Sequence, residues 1–222
     1  MFSVQAAADA RRLEFDSKNE ELLYTGKRIF AVFIGDSITH AFELGAYFAS
    51  GAGLLVNRGI GGDIPFYIEK RFRADVLQLK PRYAVILCGI NETWGLDGKC
   101  GAELEAEKEQ AKTRILKPYR RICGICEQEG QKLVIGGILP TYGEGDGAAA
   151  RKRLIIEVNQ IPREICREKG FGYVDYHEVL AEADGMTMRR EYSYDGCHVN
   201  ASGYGRMAEA LKKTMAKMGE EL

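Results

Sequence analysis

The stretch Arg28-Ile-Phe-Ala-Val-Phe-Ile-Gly35-Asp36-Ser37-Ile38-Thr39-His40 decides how this chain of 222 residues is organised. Ile29–Ile34 runs apolar without alternation, the pattern of a strand covered on both faces. The strand breaks at Gly35-Asp36-Ser37 and leads into a helix. Four further runs read the same way: Leu54–Val56, Tyr83–Leu87, Leu133–Ile138 and Tyr173–Val174. Between them lie helical patterns at about 39–50, 64–79, 102–129, 148–169 and 201–218. This alternation predicts an α/β fold with a parallel sheet of about five strands, in one domain spanning 1–222.

Local punctuation agrees. Asp63 before Ile64-Pro65 reads as a helix cap with proline in the first turn, and Asn200 or Ser202 reads as the cap of the last helix. Lys80-Pro81 closes the second helix, and Gly130 closes the long middle one. The glycine-rich stretch Gly143–Gly147 is expected to be a mobile loop. Residues 1–25 precede the first strand and are expected to form a helix or cover. Whether that cover packs on the chain's own body or makes a dimer contact stays open, so a homo-oligomer is among the expectations.

A net charge of −1, with 45% hydrophobic and 28% charged residues, gives no footprint for nucleic acid or an anionic membrane surface. Met1–Arg11 lacks a basic region and a long apolar core, so no signal peptide is read there. No run approaches the roughly 20 apolar residues of a membrane span. A cytoplasmic protein with reduced thiols at its six cysteines is the expectation. Cys123-Gly-Ile-Cys126 falls inside a helical pattern with no second pair, which favours ordinary thiols over a redox or zinc site.

Ser37 has a strand behind it and a helix ahead, which places its hydroxyl at the carboxyl end of the sheet, where open α/β sheets bind ligands. Alone it reads equally as a helix cap. A nucleophilic serine needs a base, and the chain has three histidines. His40 lies one helical turn beyond Ser37. His177 follows a strand, with Asp175 two residues before it. His198 follows Asp195 by three residues, a spacing that lets the carboxylate turn back onto one imidazole nitrogen and fix its tautomer. Cys197 beside His198 makes a thiol nucleophile a rival chemistry.

Acyl transfer also needs donors for an oxyanion. Asn57-Arg-Gly-Ile-Gly-Gly62-Asp63 follows the second strand and lets a backbone N–H approach a substrate. Cys88-Gly-Ile-Asn91-Glu92 follows the third, and Asn91 can donate from its side-chain amide. A dinucleotide fingerprint fails, because Ile64 stands where the third glycine belongs.

In order and spacing these four blocks resemble the SGNH hydrolases, the GDSL family of esterases and lipases, over roughly residues 29–211. The resemblance implies a flavodoxin-like three-layer α/β/α sandwich. It implies Ser37 as nucleophile, Asp195 and His198 as acid and base, and Ser37, Gly62 and Asn91 as oxyanion donors. It also implies a small-molecule ester substrate and no metal or organic cofactor. Glu92 stands where the family usually carries an aspartate.

Arg58, Glu92, Trp94, Tyr142 and Glu144 lie on the motif loops, and polar groups beside an aromatic platform suit a small acyl group on a polar carrier such as a sugar. Asp36 joins Arg58, Glu92, Trp94 and Tyr142 as a candidate substrate contact. The expected activity is a serine esterase acting on short acyl esters of carbohydrate. A lysophospholipase or acyl-thioesterase is the alternative, and an inactive SGNH-like binding module is the alternative of a different class.

Overall fold

The computed structural model describes residues 6–49, 51 and 53–222, with side chains from residue 10 onward outside those gaps. Helix α1 (Ala6–Thr25) leads into β1 (Ile29–Gly35), then the single turns α2 (Ser37–His40) and α3 (Leu44–Tyr47). There follow β2 (Leu54–Gly59), α4 (Pro65–Asp75), β3 (Tyr83–Leu87), α5 (Gly101–Glu129), β4 (Lys132–Gly136) and α6 (Gly145–Lys169). The chain ends with β5 (Gly172–Val174), α7 (Tyr176–Leu180) and α8 (Ala201–Lys217).

The strands pair in the order β2-β1-β3-β4-β5, all parallel, which is the flavodoxin-like order. All seven residues of β1 are buried, as a strand covered on both faces requires. Ile115 and Ile122 of α5 and Met207, Leu211 and Met215 of α8 are sealed in the core, each contributing about 1.5–3 kcal/mol by burial. Register positions the functional loops. Gly35 of β1 lies beside Gly59 of β2 and Leu87 of β3, so three strands end level with one another. Ser37, Gly62 and Asn91 each follow one of those ends within a few residues, which brings them to one edge of the sheet.

Two expectations change. The helix read over 39–50 begins at Ser37 and splits into α2 and α3, while residue 50 lies outside the described residues. Asn57 ends α2 by donating from its side-chain amide to the carbonyls of Thr39 (2.7 Å) and Phe42 (3.0 Å). Phe42 then turns inward against Phe33, Phe48 and Tyr204. The expected loop at Gly143–Gly147 is already helical from Gly145. Its anchor is Gly147, where a Cβ would sit 2.6 Å from the carbonyl oxygen of Leu96, so only glycine lets this turn pack so closely.

Smaller boundaries shift as well. The helix expected over 64–79 ends at Asp75, and a separate 3-10 turn covers Leu77–Leu79. Ile64 rather than Asp63 is its N-cap, although Asp63 Oδ1 accepts the Ile64 N–H at 3.0 Å. Asn200 caps α8 by accepting the Gly203 N–H. Gly130 closes α5 in the left-handed region, φ +65°.

Helix α1 covers α4. Phe15 is buried beneath the guanidinium groups of Arg11 and Arg58, each about 5 Å from its ring. The part of the expected cover at residues 1–5 lies outside the described residues. Among the described residues, no helix is long and apolar enough to cross a membrane.

Candidate active site

Ser37 opens α2, and the preceding Asp36 caps that turn by accepting the Ile38 N–H at 3.0 Å. The Ser37 hydroxyl lies 3.0 Å from His198 Nε2, and His198 Nδ1 lies 2.7 Å from Asp195 Oδ2. Asp195 Oδ1 accepts the N–H groups of Cys197 (2.9 Å) and His198 (2.7 Å), an Asx-type turn that follows from the three-residue spacing. Burial alone raises the Asp195 carboxyl, but the hydrogen bonds from the His198 ring and from these two N–H groups outweigh it and hold it below the usual value. Serine, imidazole and carboxylate therefore form one proton relay. Its outer half is open to water, with the side chains of His198 and Asp195 47% and 53% exposed.

Two further hydroxyls brace this relay, one within the loop of His198 and one across to the turn of Ser37. Ser193 Oγ donates to the His198 carbonyl (2.7 Å) and accepts the Gly196 N–H (2.8 Å), bracing the loop from within. Tyr204 on α8 donates its hydroxyl to the Ile38 carbonyl at 2.7 Å and stacks on Phe42 at 4.8 Å. The helix that follows His198 is thereby tied to the turn that carries Ser37.

Gly62 sits at φ +77°, a conformation that glycine adopts without a steric penalty. Asn91 lies in the 3-10 turn Ile90–Leu96, and its Nδ2 donates one proton to the Asp63 carbonyl at 2.9 Å. An amide nitrogen carries two protons, so this bond fixes the side chain and leaves a second donor for a ligand.

Behind the Gly62 loop lies a charge network that the sequence did not announce. Arg71 of α4 is 3% exposed. Its Nε donates to Asp63 Oδ2 (2.8 Å), one terminal nitrogen donates to the Arg58 carbonyl and Asp75 Oδ2 (2.9 Å each), and the other donates to the Gly35 carbonyl (3.2 Å). One side chain thus holds the end of β1, the end of β2 and the residue after Gly62. Arg12 of α1 reaches Asp75 Oδ1 at 2.7 Å, and Asn19 of α1 bonds both Asp75 (3.3 Å) and Arg58 (2.8 Å).

Three expected substrate contacts are corrected by their burial. Arg58, 4% exposed, is spent on Asn19 and on the Asn57 carbonyl, so it faces the interior. Glu92 is buried and paired with Arg114, where it anchors the 3-10 turn to α5. Asp36 is 1% exposed with Oδ2 lacking a partner among the described residues, and burial pushes its carboxyl up to about 7. Trp94 and Tyr142 do reach the surface. The Tyr142 ring lies against Gly196, inside the Asp195–His198 loop.

The rival bases and nucleophile occupy other roles. His177 is buried, with ring nitrogens facing the carbonyls of Ile138 (3.2 Å) and Gly185 (3.0 Å). His40 is exposed at the end of α2, outside the relay. Burial raises the Cys197 thiol to about 12, which keeps it protonated and poorly nucleophilic near neutrality. Cys123 and Cys126 are buried thiols raised to about 11 and about 12 by the same cause.

The profile of the GDSL-like lipase/acylhydrolase family matches residues 33–206. An acetylxylan esterase of Geobacillus stearothermophilus is 24% identical over 205 residues, covering 81% of this chain and 90% of its own. Among solved structures, a GDSL-like lipase from Bacteroides thetaiotaomicron superposes with a TM-score of 0.73 at 20% identity, over 92% of this chain and 97% of that one. The Geobacillus stearothermophilus acetylxylan esterase superposes with a TM-score of 0.64 at 19% identity, over 84% and 93% of the two chains.

Proposed function

The chain belongs to the GDSL-like lipase/acylhydrolase family and is a carboxylic ester hydrolase, and we propose that it removes acetyl groups from carbohydrate through Ser37, His198 and Asp195. The observation that carries this reading is the relay itself, with Ser37 Oγ 3.0 Å from Nε2 and Asp195 2.7 Å from Nδ1. His198 Nε2 takes the hydroxyl proton as Ser37 Oγ bonds to the ester carbonyl carbon. The carbonyl oxygen gains the negative charge and is met by the N–H groups of Ser37 and Gly62 and the second amide proton of Asn91. Collapse of this intermediate breaks the bond to the alcohol, which leaves with the proton from His198. Water then attacks the acyl-serine, with His198 as base again, and acetate departs. Asp195 holds the imidazole in the required tautomer and stabilises its charged form.

The relatives named acetylxylan esterases make acetylated xylo-oligosaccharides the first natural substrates to try. Ser37→Ala is expected to lose 4-nitrophenyl acetate hydrolysis by a factor of about 10⁴ or more while keeping its unfolding temperature. Paraoxon is expected to add one diethylphosphoryl group per wild-type chain, on Ser37. Full activity in the alanine variant, or an adduct on another residue, sinks the assignment.

A further inference from the structure

The relay defines the bond that is cut and leaves the alcohol side undefined. A groove of 560 Å³ lies between the segment that follows Asn91 and the segment from Tyr142 to Arg151. Two walls tie it to the active site. Trp94 stands three residues after Asn91 in the same 3-10 turn, and Tyr142 lies on Gly196 with its N–H bonded to the Gly196 carbonyl at 3.1 Å.

Trp94 is held in place from one side. The Arg151 guanidinium lies over its ring at 3.9 Å and pairs with Asp97. Arg151 is 3% exposed, and its Nε is buried without a partner among the described residues. Arg151 covers one face of the ring, and Trp94 as a residue remains 37% exposed. An indole clamped in this way is a preorganised flat surface, of the kind on which the C–H face of a pyranose packs at little entropic cost.

Charge selects among carriers. Arg151 is neutralised by Asp97, and Lys99 by Glu103 (3.0 Å) and Glu107 (3.6 Å). Glu144 and Asp146 also line the groove, and neither is in a salt bridge among the described residues. The start of α6 offsets only about half a unit of their negative charge. Arg190 stacks on Tyr142 at 4.8 Å but is not part of the groove lining. Within the lining, Asp97, Glu144 and Asp146 outnumber Lys99 and Arg151 by one charge, a balance that disfavours carboxylates or phosphates on a carrier and leaves carboxylate oxygens to accept from hydroxyls.

We infer that this groove is the carrier subsite and takes an uncharged sugar ring, stacked on Trp94 and hydrogen-bonded to Glu144 and Asp146. Resting on the proposed function, the inference narrows it, because it disfavours lysophospholipids and acyl-CoA, whose carriers are phosphorylated.

The test uses the fact that Trp94 is the single tryptophan of the chain. Titrating the full-length protein with xylotriose is expected to shift Trp94 emission in a saturable way. The same trisaccharide bearing a glucuronic acid should bind about tenfold more weakly or worse. Glu144→Gln combined with Asp146→Asn should shrink that difference between the two sugars. Trp94→Phe should lower kcat/KM for acetylated xylotriose about tenfold more than for 4-nitrophenyl acetate. No emission change at millimolar sugar, tighter binding of the acidic trisaccharide, or equal losses on both esters overturns the inference. Each of these leaves the Ser37 chemistry standing, which the alanine variant and paraoxon test separately.

Discussion

The two flanks of Ser37 are built differently. On the β2 flank, Arg71, Asp63, Asp75, Arg58 and Asn19 are buried and bonded to one another, and the loop carrying Gly62 rests on them. On the β3–β4 flank, Trp94, Tyr142, Glu144 and Asp146 surround an open groove whose buried guanidinium serves one aromatic ring. Donors that meet a developing oxyanion are most effective when they need no reorganisation, and of the donors proposed above Gly62 rests on the closed flank and Asn91 is oriented by it. The open flank faces whatever the acyl group is attached to. A fold of this kind can change carrier without disturbing its chemistry.

Three experiments break or sharpen that contrast, in descending order of expected effect. Arg71→Leu strands Asp63 against Gly62 with one cation fewer, and loss of one partner of a buried ion pair costs about 3–5 kcal/mol. Thermal unfolding should fall by about 10 °C. The matched change Glu144→Gln, on the open flank, should cost less than about 0.5 kcal/mol. Equal losses erase the contrast.

Asn91→Ala removes the side-chain donor at the junction of the two flanks. It is expected to lower kcat for 4-nitrophenyl acetate about 10²–10³-fold, with KM nearly unchanged. A rise in KM alone shows a binding role instead.

Asp36→Asn probes the buried carboxyl that caps the turn of Ser37, between the two flanks. Burial raises Asp36 from 3.8 to about 7, against the opposing pull of the Ile38 N–H and His198. With its folded value above its unfolded one, this group costs the fold nothing below about 4 and progressively more as pH rises toward 7. The unfolding temperature of the asparagine variant, minus that of the wild type, should therefore grow by at least about 4 °C between those limits. A constant difference across that pH window refutes the buried-charge account.

Residues whose meaning is local were readable from sequence: the break at Gly35-Asp36-Ser37, the Asp-x-x-His spacing and the strand-helix alternation. Burial is not local, and there the reading went astray. Arg58 and Glu92 look like loop charges until Asn19, 39 residues away from Arg58, and Arg114, 22 away from Glu92, close over them. Arg71 passes as one more charge on an amphipathic helix, since its partner carbonyl at Gly35 is 36 residues distant. Only Asp75 at i+4 is a signal that pattern reading can use. Tyr204, joined to Ile38 across 166 residues, left none.

Helix α1 lies wholly before residue 33, where the match to the family model begins, yet Arg12 and Asn19 neutralise and cap charges inside the matched body. The segment that the family model matches is therefore not electrostatically closed in this chain. A protein trimmed to the matched segment would expose Asp75 and Arg58 to water at the place where the loop carrying Gly62 is anchored.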